Sequence, residues 1–189
     1  MPHPPQDPAA PGPATPAKVF LLPLIPEPLF RQLALALAAR GHSLAFIGPV
    51  APDVEADDEA ALALQLAVER AGGLSLIGPG LVSAEQGSLD WVVDFFGRLD
   101  AAIAWGDAGA ALLAQALARL DRRARPPILL VCQPASGVEI SEEGPAPTSS
   151  LDSTIFPTRM IHYPMTRETL AEEAAQAAAM NRLMSILRA

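Results

Sequence analysis

Short apolar runs alternate along this chain with longer stretches whose apolar residues recur at helical spacing. Val19-Phe20-Leu21-Leu22 is nearly unbroken in apolarity, the pattern of a strand buried on both faces. Leu29, Leu33 and Leu37 follow at intervals of four with Phe30 beside them, which predicts a helix with one apolar face. Pro28 suits its first turn and Gly41 its C-terminal cap. Ser43 to Ile47 predicts a second strand. A second helix, capped by Asp57 or Asp58, runs through Ala60, Leu62, Leu64, Leu66 and Val68 to Gly72-Gly73. Leu74 to Ile77 predicts a short third strand. Ser88 is placed as the cap of a third helix carrying Leu89, Val92, Val93 and Phe96 and ended by Gly97. Ala101 to Ala104 forms a fourth strand, and Asp107 caps a fourth helix with Leu113, Leu117 and Leu120. Ile128 to Cys132 is the fifth strand. Residues Gln133 to Met165 are read as a long connection rich in Pro, Ser, Thr and Gly. Thr166 or Thr169 then opens a last helix, with a capping box from Thr169 to Glu172 and a face marked by Leu170, Ala174, Ala177, Met180, Met184 and Leu187.

Strands and helices alternating in this way predict an α/β fold: a Rossmann-like, doubly wound parallel sheet of about five strands, with helices on both faces in three layers. Seven prolines among Met1 to Pro16 exclude a helix or a central strand there. Residues 1–17 are therefore expected to be a disordered, Pro-rich tail, and residues 18–189 a single domain. The net charge of −8 removes the basic footprint of a nucleic-acid-binding surface. Asp53, Glu55, Asp57, Asp58 and Glu59 hold much of the acidic excess, where carboxylates favour a helix start. No apolar run approaches the roughly 18 residues of a membrane span. The N-terminus lacks the charged-then-apolar order of a signal peptide, and a cytoplasmic location is expected. One cysteine, Cys132, excludes an internal disulfide. His3, His42 and His162 are scattered, without metal-ligand spacing, so no metal is expected.

Two segments resemble the short-chain dehydrogenase/reductase family. The first is Val19 to Gly41 leading into His42-Ser43-Leu44-Ala45-Phe46. It is similar to the family's strand, Thr-Gly-x-x-x-Gly-x-Gly turn, and helix ending in Ala-x-x-Gly. The second is Phe96-Gly97-Arg98-Leu99-Asp100 leading into Ala101 to Gly106, which is similar to the Phe-Gly-x-Leu-Asp before the family's Asn-Asn-Ala-Gly motif. With the order of elements, the resemblance covers about residues 18 to 187. The first segment alone also looks like the opening of a two-domain glycosyltransferase, whose sugar nucleotide needs a second Rossmann domain that a single-domain length does not accommodate.

The resemblance implies a dinucleotide cofactor, NAD(P), at the turn after the first strand. Counting back from Gly41 puts Pro23 at the family's threonine and Leu24, Pro28 and Phe30 at its three glycines. Those glycines allow a tight turn, close approach of pyrophosphate, and helix-on-strand packing. Leucine, proline and phenylalanine oppose all three, and Glu27 adds a carboxylate where a diphosphate would sit. The Asn-Asn-Ala-Gly positions hold Ala104, Trp105, Gly106 and Asp107. Trp105 either lines a pocket for an apolar ligand or plugs a vestigial one. No cofactor is therefore expected, and Leu24, Pro28, Phe30 and Trp105 mark the vestigial site.

The family's catalytic Tyr-x-x-x-Lys has one partial counterpart, Tyr163 with Arg167, and arginine is no neutral substitute for lysine. Ser150 has the family's spacing to Tyr163, but the end of the fifth strand, where the family's serine lies, holds Cys132, Gln133 and Pro134. Tyr163 beside Pro164 otherwise reads as a loop tyrosine, and Cys132 as a small apolar residue closing a buried strand. The expectation is a degenerate, C-terminally shortened, non-catalytic relative acting through homo- or hetero-oligomeric association. Its alternative is an NAD(P)-dependent short-chain oxidoreductase with an atypical cofactor site. The family commonly dimerises through the helices after its fourth and fifth strands, and 108–120 and 168–187 are placed in those roles, as the seam of a homodimer or of a complex with a related partner. With the later strands missing, the sheet edge beside the fifth strand is expected to be open.

Overall fold

The computed structural model describes residues 17–25, 27–48, 58–78, 89–120, 127–134, 160–165 and 172–188. Six strands lie in one sheet, all neighbouring pairs parallel: β1 (Val19–Pro23), β2 (Ser43–Ile47), β3 (Ser75–Gly78), β4 (Ala101–Trp105), β5 (Ile128–Pro134) and β6 (Met160–Met165). Their order across the sheet is β3-β2-β1-β4-β5-β6. Among the described residues the helices are α1 (Pro28–Ala38), α2 (Asp58–Arg70), α3 (Asp90–Phe96), α4 (Gly106–Arg119) and α5 (Glu173–Arg188). This is the doubly wound arrangement expected from the alternating pattern, with the strand order of dinucleotide-binding sheets. No helix among the described residues is long and apolar enough to cross a membrane.

The alternation of side chains along each strand sorts the core into two layers. Phe20 and Leu22 of β1 point to one face, with Leu44 and Phe46 of β2, Ile103 of β4 and Leu130 of β5. There they meet Leu29, Phe30, Leu33 and Leu37 of α1, Val68 of α2, and Ala179, Leu183, Met184 and Leu187 of α5. Val19 and Leu21 point the other way and pack with Val92 of α3 and Ala110, Leu113, Ala114 and Leu117 of α4. All five residues of β1 are buried, as its unbroken apolar run predicts. Gly41 follows α1 at a φ of +76°, and Gly97 ends α3 at +76°, left-handed conformations that an L side chain resists.

Several expectations are corrected. The sheet has six strands rather than about five, because Met160–Met165 lies inside the stretch read as connection. It is an edge strand, where Pro164 loses no ladder bond to an outer neighbour. The edge beside β5 is consequently covered, each residue from Leu129 to Pro134 having a partner in β6. The two helices expected to share one seam lie on opposite faces of the sheet: α4 packs with Leu21 and Ala102, whereas α5 packs with α1. The last helix follows β6, not β5.

Some helix faces and ends also move. Leu62 and Leu66 of α2 are exposed while Leu64 and Val68 face inward, since residues two apart cannot share one side of a helix. On α5, Ala174 and Ala177 are exposed, and the buried row is Gln176, Ala179, Leu183 and Leu187. Gln176 accepts a bond from Gln32 Nε2 at 3.2 Å, a polar pair between α1 and α5 that an apolar pattern cannot register. Trp105, not Asp107, occupies the cap position of α4, and its side chain makes no capping bond. Leu89 holds that position for α3. Residues 1–16, Asp57, Ser88, Ser150, Thr166, Arg167, Thr169 and Leu170 lie outside the described residues.

At the N-terminal edge of the sheet a polar group fixes the start of β1. Asp100 Oδ2 accepts the N–H of Val19 at 2.9 Å, and the other Asp100 oxygen pairs with Arg98. Lys18 Nζ donates to the C=O of Leu187 at 3.0 Å, a cation at the C-terminus of α5, where the helix dipole favours it. The backbone N–H of Lys18 donates to His42 Nδ1 at 3.3 Å, so His42 is an acceptor there, with its ring edge-on to Phe20. The Asp100→Ala variant leaves the buried N–H of Val19 without this acceptor and is expected to lose about 1–3 kcal/mol in urea unfolding. Burial, then the charges of Lys18 and Arg40, hold the His42 pKa below its ordinary value against an opposing effect of Asp100. A histidine depressed in the folded state contributes stability that is present above its unfolded pKa and is lost as pH falls through the folded one. Thermal melts are expected to show stability falling as pH drops from about 7 towards 5, with a shallower slope in His42→Asn, whose amide oxygen still accepts.

Candidate functional site

In a doubly wound sheet the ligand crevice opens at the carboxyl ends of the strands where the order reverses, here between β1 and β4. β1 runs into Leu24, whose N–H donates to the C=O of Ile47 at 2.8 Å, extending the pairing with β2 beyond Pro23. The N–H of Ile25 folds back onto the C=O of Pro23 at 3.1 Å. Both Leu24 and Ile25 pack against the α1-side core. A turn of this kind keeps its side chains on the sheet, unlike one whose glycines leave backbone bare for a diphosphate.

The first turn of α1 is similarly committed. Glu27 holds the cap position in an extended conformation, without a side-chain capping bond. Pro28, at the helix start, has no N–H to offer. The N–H of Phe30 donates to the C=O of Glu27 at 3.0 Å, and that of Arg31 to the same oxygen at 3.4 Å. Amides that cradle an anion at a helix N-terminus must point out of the helix unbonded. Proline removes one here and Glu27 engages that of Phe30, while the N–H of Arg31 makes the ordinary first bond of the helix.

From that turn Phe30 reaches across the switch point. Its ring meets the indole of Trp105, at the end of β4, edge-to-face, with centroids 5.5 Å apart and planes at 87°. Phe30 is only 3% exposed. Such a pair contributes about 0.5–1.5 kcal/mol beyond the area it buries. Trp105 itself is half-buried, so the contact places its ring at the crevice for either reading, a lined pocket or a plug. The resemblance to the family's motifs singled out both residues, but nothing in the spacing of positions 30 and 105 announced that they touch.

The register carries the row outward. Trp105 is opposite Cys132, and Cys132 opposite Tyr163. Tyr163 is thus a strand residue in β6, not a loop tyrosine, and it packs with Trp105, Cys132 and Met165 against the same core layer. Arg167, the other member of the pair, lies outside the described residues. His162 occupies β6 as well, and its Nε2 is buried with no hydrogen-bond partner among the described residues. Among those residues, no group of histidine, cysteine and carboxylate side chains has the arrangement of a metal site.

At the end of β3 the backbone of Gly78 lies under Trp91 of α3. A Cβ at Gly78 would come within 2.2 Å of the indole, so only glycine fits beneath it. The sequence placed Trp91 along the third helix but offered no sign of this partner. Cys132 is fully buried, and burial pushes its thiol pKa up to about 12. The thiolate a nucleophile needs is therefore suppressed.

With that geometry in hand, the likeness to known structures is informative about fold. The chain superimposes on NAD+-bound xylitol dehydrogenase with a TM-score of 0.52, over 89% of this chain and 62% of that one, at 16% identity. A short-chain type dehydrogenase/reductase from Mycobacterium marinum matches 63% of this chain and 56% of its own length at 20% identity, with a TM-score of 0.46. A short-chain dehydrogenase from Oenococcus oeni matches 63% and 58% at 16% identity, with a TM-score of 0.48. The chain thus spans little more than half the length of these enzymes, and TM-scores under 0.5 add nothing to the first comparison. No family model and no curated protein matches the chain. The fold is the Rossmann-like one of the short-chain dehydrogenase/reductases. At these identities the likeness stops at fold.

Native protein at pH 8 is expected to leave Cys132 unmodified by iodoacetamide over hours and to alkylate rapidly in denaturant. Mass spectrometry reads the difference, and prompt labelling of the folded chain would contradict the burial described.

Proposed function

We propose that this chain is a short-chain-dehydrogenase-like Rossmann module that does not use a dinucleotide and acts by associating with another protein chain. The observation that supports this most is the Phe30–Trp105 contact, which occupies the switch-point crevice with the protein's own rings. The committed amides of the α1 turn add to it: a pyrophosphate would have to displace Leu24 and Phe30 from the core and would find no N–H at Pro28. A scaffold kept while its cofactor turn is filled retains its surfaces as the means of recognition. Loss of the Tyr-x-x-x-Lys unit, with Tyr163 in a strand, agrees with a role that needs no proton transfer.

The competing reading is an NAD(P)-dependent oxidoreductase relying on Tyr163 and Arg167 at an atypical site, and calorimetric titration separates the two. Titrating the full chain with NADH and NADPH is expected to give no saturable heat up to about millimolar ligand, where binding would be weaker than about 4 kcal/mol. Saturable binding abolished by Tyr163→Phe would overturn the proposal in favour of the oxidoreductase. Light scattering showing a monomer at all micromolar concentrations would remove the homodimeric form of the association.

A further inference from the structure

The inward face of α2 is settled by Leu64 and Val68, which pack against the α1-side core. The opposite face carries Glu59, Leu62, Ala63, Leu66, Glu69 and Arg70, all exposed. Leu62 is 55% exposed and Leu66 44%, two of the four large apolar side chains exposed in this way among the described residues. At 100° per residue, Glu59, Leu62, Leu66 and Arg70 fall in one narrow stripe opposite Val68. The stripe is apolar in the middle, acidic at its N-terminal end and basic at its C-terminal end.

That order is self-complementary. Glu59 and Arg70 are eleven residues apart, about 16 Å along the axis, too far to pair within one helix. Two copies of α2 laid antiparallel about a two-fold axis near residues 64 and 65 bring Glu59 of each against Arg70 of the other. The same axis sets Leu66 of each over Leu62 and Ala63 of its mate, with Ala63 small enough for the helices to approach. A parallel alignment would instead stack Glu59 on Glu59 and Arg70 on Arg70. A two-fold contact requires one patch to complement itself, and this stripe meets that requirement in charge and in shape. Glu69, next to the stripe, already engages Gln65 and Ser75 within its own chain.

We infer that the exposed face of α2 is a homodimer interface, in which a second copy of this chain packs antiparallel through Leu62 and Leu66 and is registered by reciprocal Glu59–Arg70 pairs. The inference rests on the association proposed above and names its partner and surface. It places the contact at the β3 end of the sheet, and not on α4 or α5. A 13-residue helix is about 20 Å long and buries less than a standard interface, so the dimer dissociates in the micromolar range.

Sedimentation velocity of the full chain over a micromolar concentration series tests it. Wild type is expected to pass from monomer to dimer across the series. Leu66→Glu is expected to stay monomeric with an unchanged thermal melt, because the side chain replaced is already exposed. Glu59→Arg and Arg70→Glu alone are each expected to weaken the dimer by about ten-fold or more, since two symmetry-related pairs are lost at once. The double swap, E59R with R70E, restores opposite charges only in the antiparallel arrangement and is expected to recover most of the affinity. Should the wild type dimerise and the variants do so equally, the α2 interface is wrong while association stands. Should the double swap remain as weak as either single change, the antiparallel register is wrong. A wild type that stays monomeric throughout overturns both this interface and self-association.

Discussion

A parallel sheet has no face it can leave in water, because its connections cross over it and its strands are apolar throughout. In this chain the constraint falls hardest on β1. It lies between β2 and β4, every residue of it is buried, and its alternating side chains supply the centre of both core layers. Other features follow from holding that strand in place. Asp100 secures its first buried amide, and Lys18, just before it, reaches the last turn of α5. The Phe-Gly-Arg-Leu-Asp segment therefore acts at the amino end of the sheet, where its aspartate anchors the strand next to its own.

The carboxyl end of the same strand is where a dinucleotide fold opens its crevice, and here apolar side chains gather. Leu24 continues the pairing with β2, Pro28 offers no N–H, the C=O of Glu27 accepts that of Phe30, and the Phe30 ring meets Trp105. Each substitution alone would weaken a phosphate site. Leu24, Phe30 and Trp105 all pack against the α1-side core layer, and Tyr163 and Cys132 continue that apolar row towards the sheet edge. Cys132 is held as an inert thiol by the burial that makes it a good core residue. A fold shared with NAD+-bound enzymes is thus compatible with a different use of the scaffold, since function resides in the site and not in the layers.

What remains for recognition is the surface. Most of the apolar material of α1, α4 and α5 is turned inward, and α5 uses Ala179, Leu183, Met184 and Leu187 on the protein's own core. The α2 helix is different: it buries Leu64 and Val68 and shows leucines on its other side. That outward face mixes the two leucines with Glu59, Glu69 and Arg70, and it is the surface to which the proposed self-association is assigned.

The sequence by itself was sufficient for the first five strands and the helices between them, because unbroken apolar runs and the four-residue spacing of α1 report burial, although the same spacing in α2 marked the exposed Leu62 and Leu66. It was also sufficient to show side chains at 24, 28 and 30, where the turn of the family it resembles carries glycine. It did not disclose β6, because Met-Ile-His-Tyr-Pro-Met mixes polar residues and a proline that only an edge position tolerates. Nor did it disclose that α4 and α5 lie on opposite faces. The meeting of Phe30 with Trp105, and of Gly78 with Trp91, was decided by tertiary structure alone. Residues far apart in the chain come into contact only once strand order and register are set, and no local pattern encodes those.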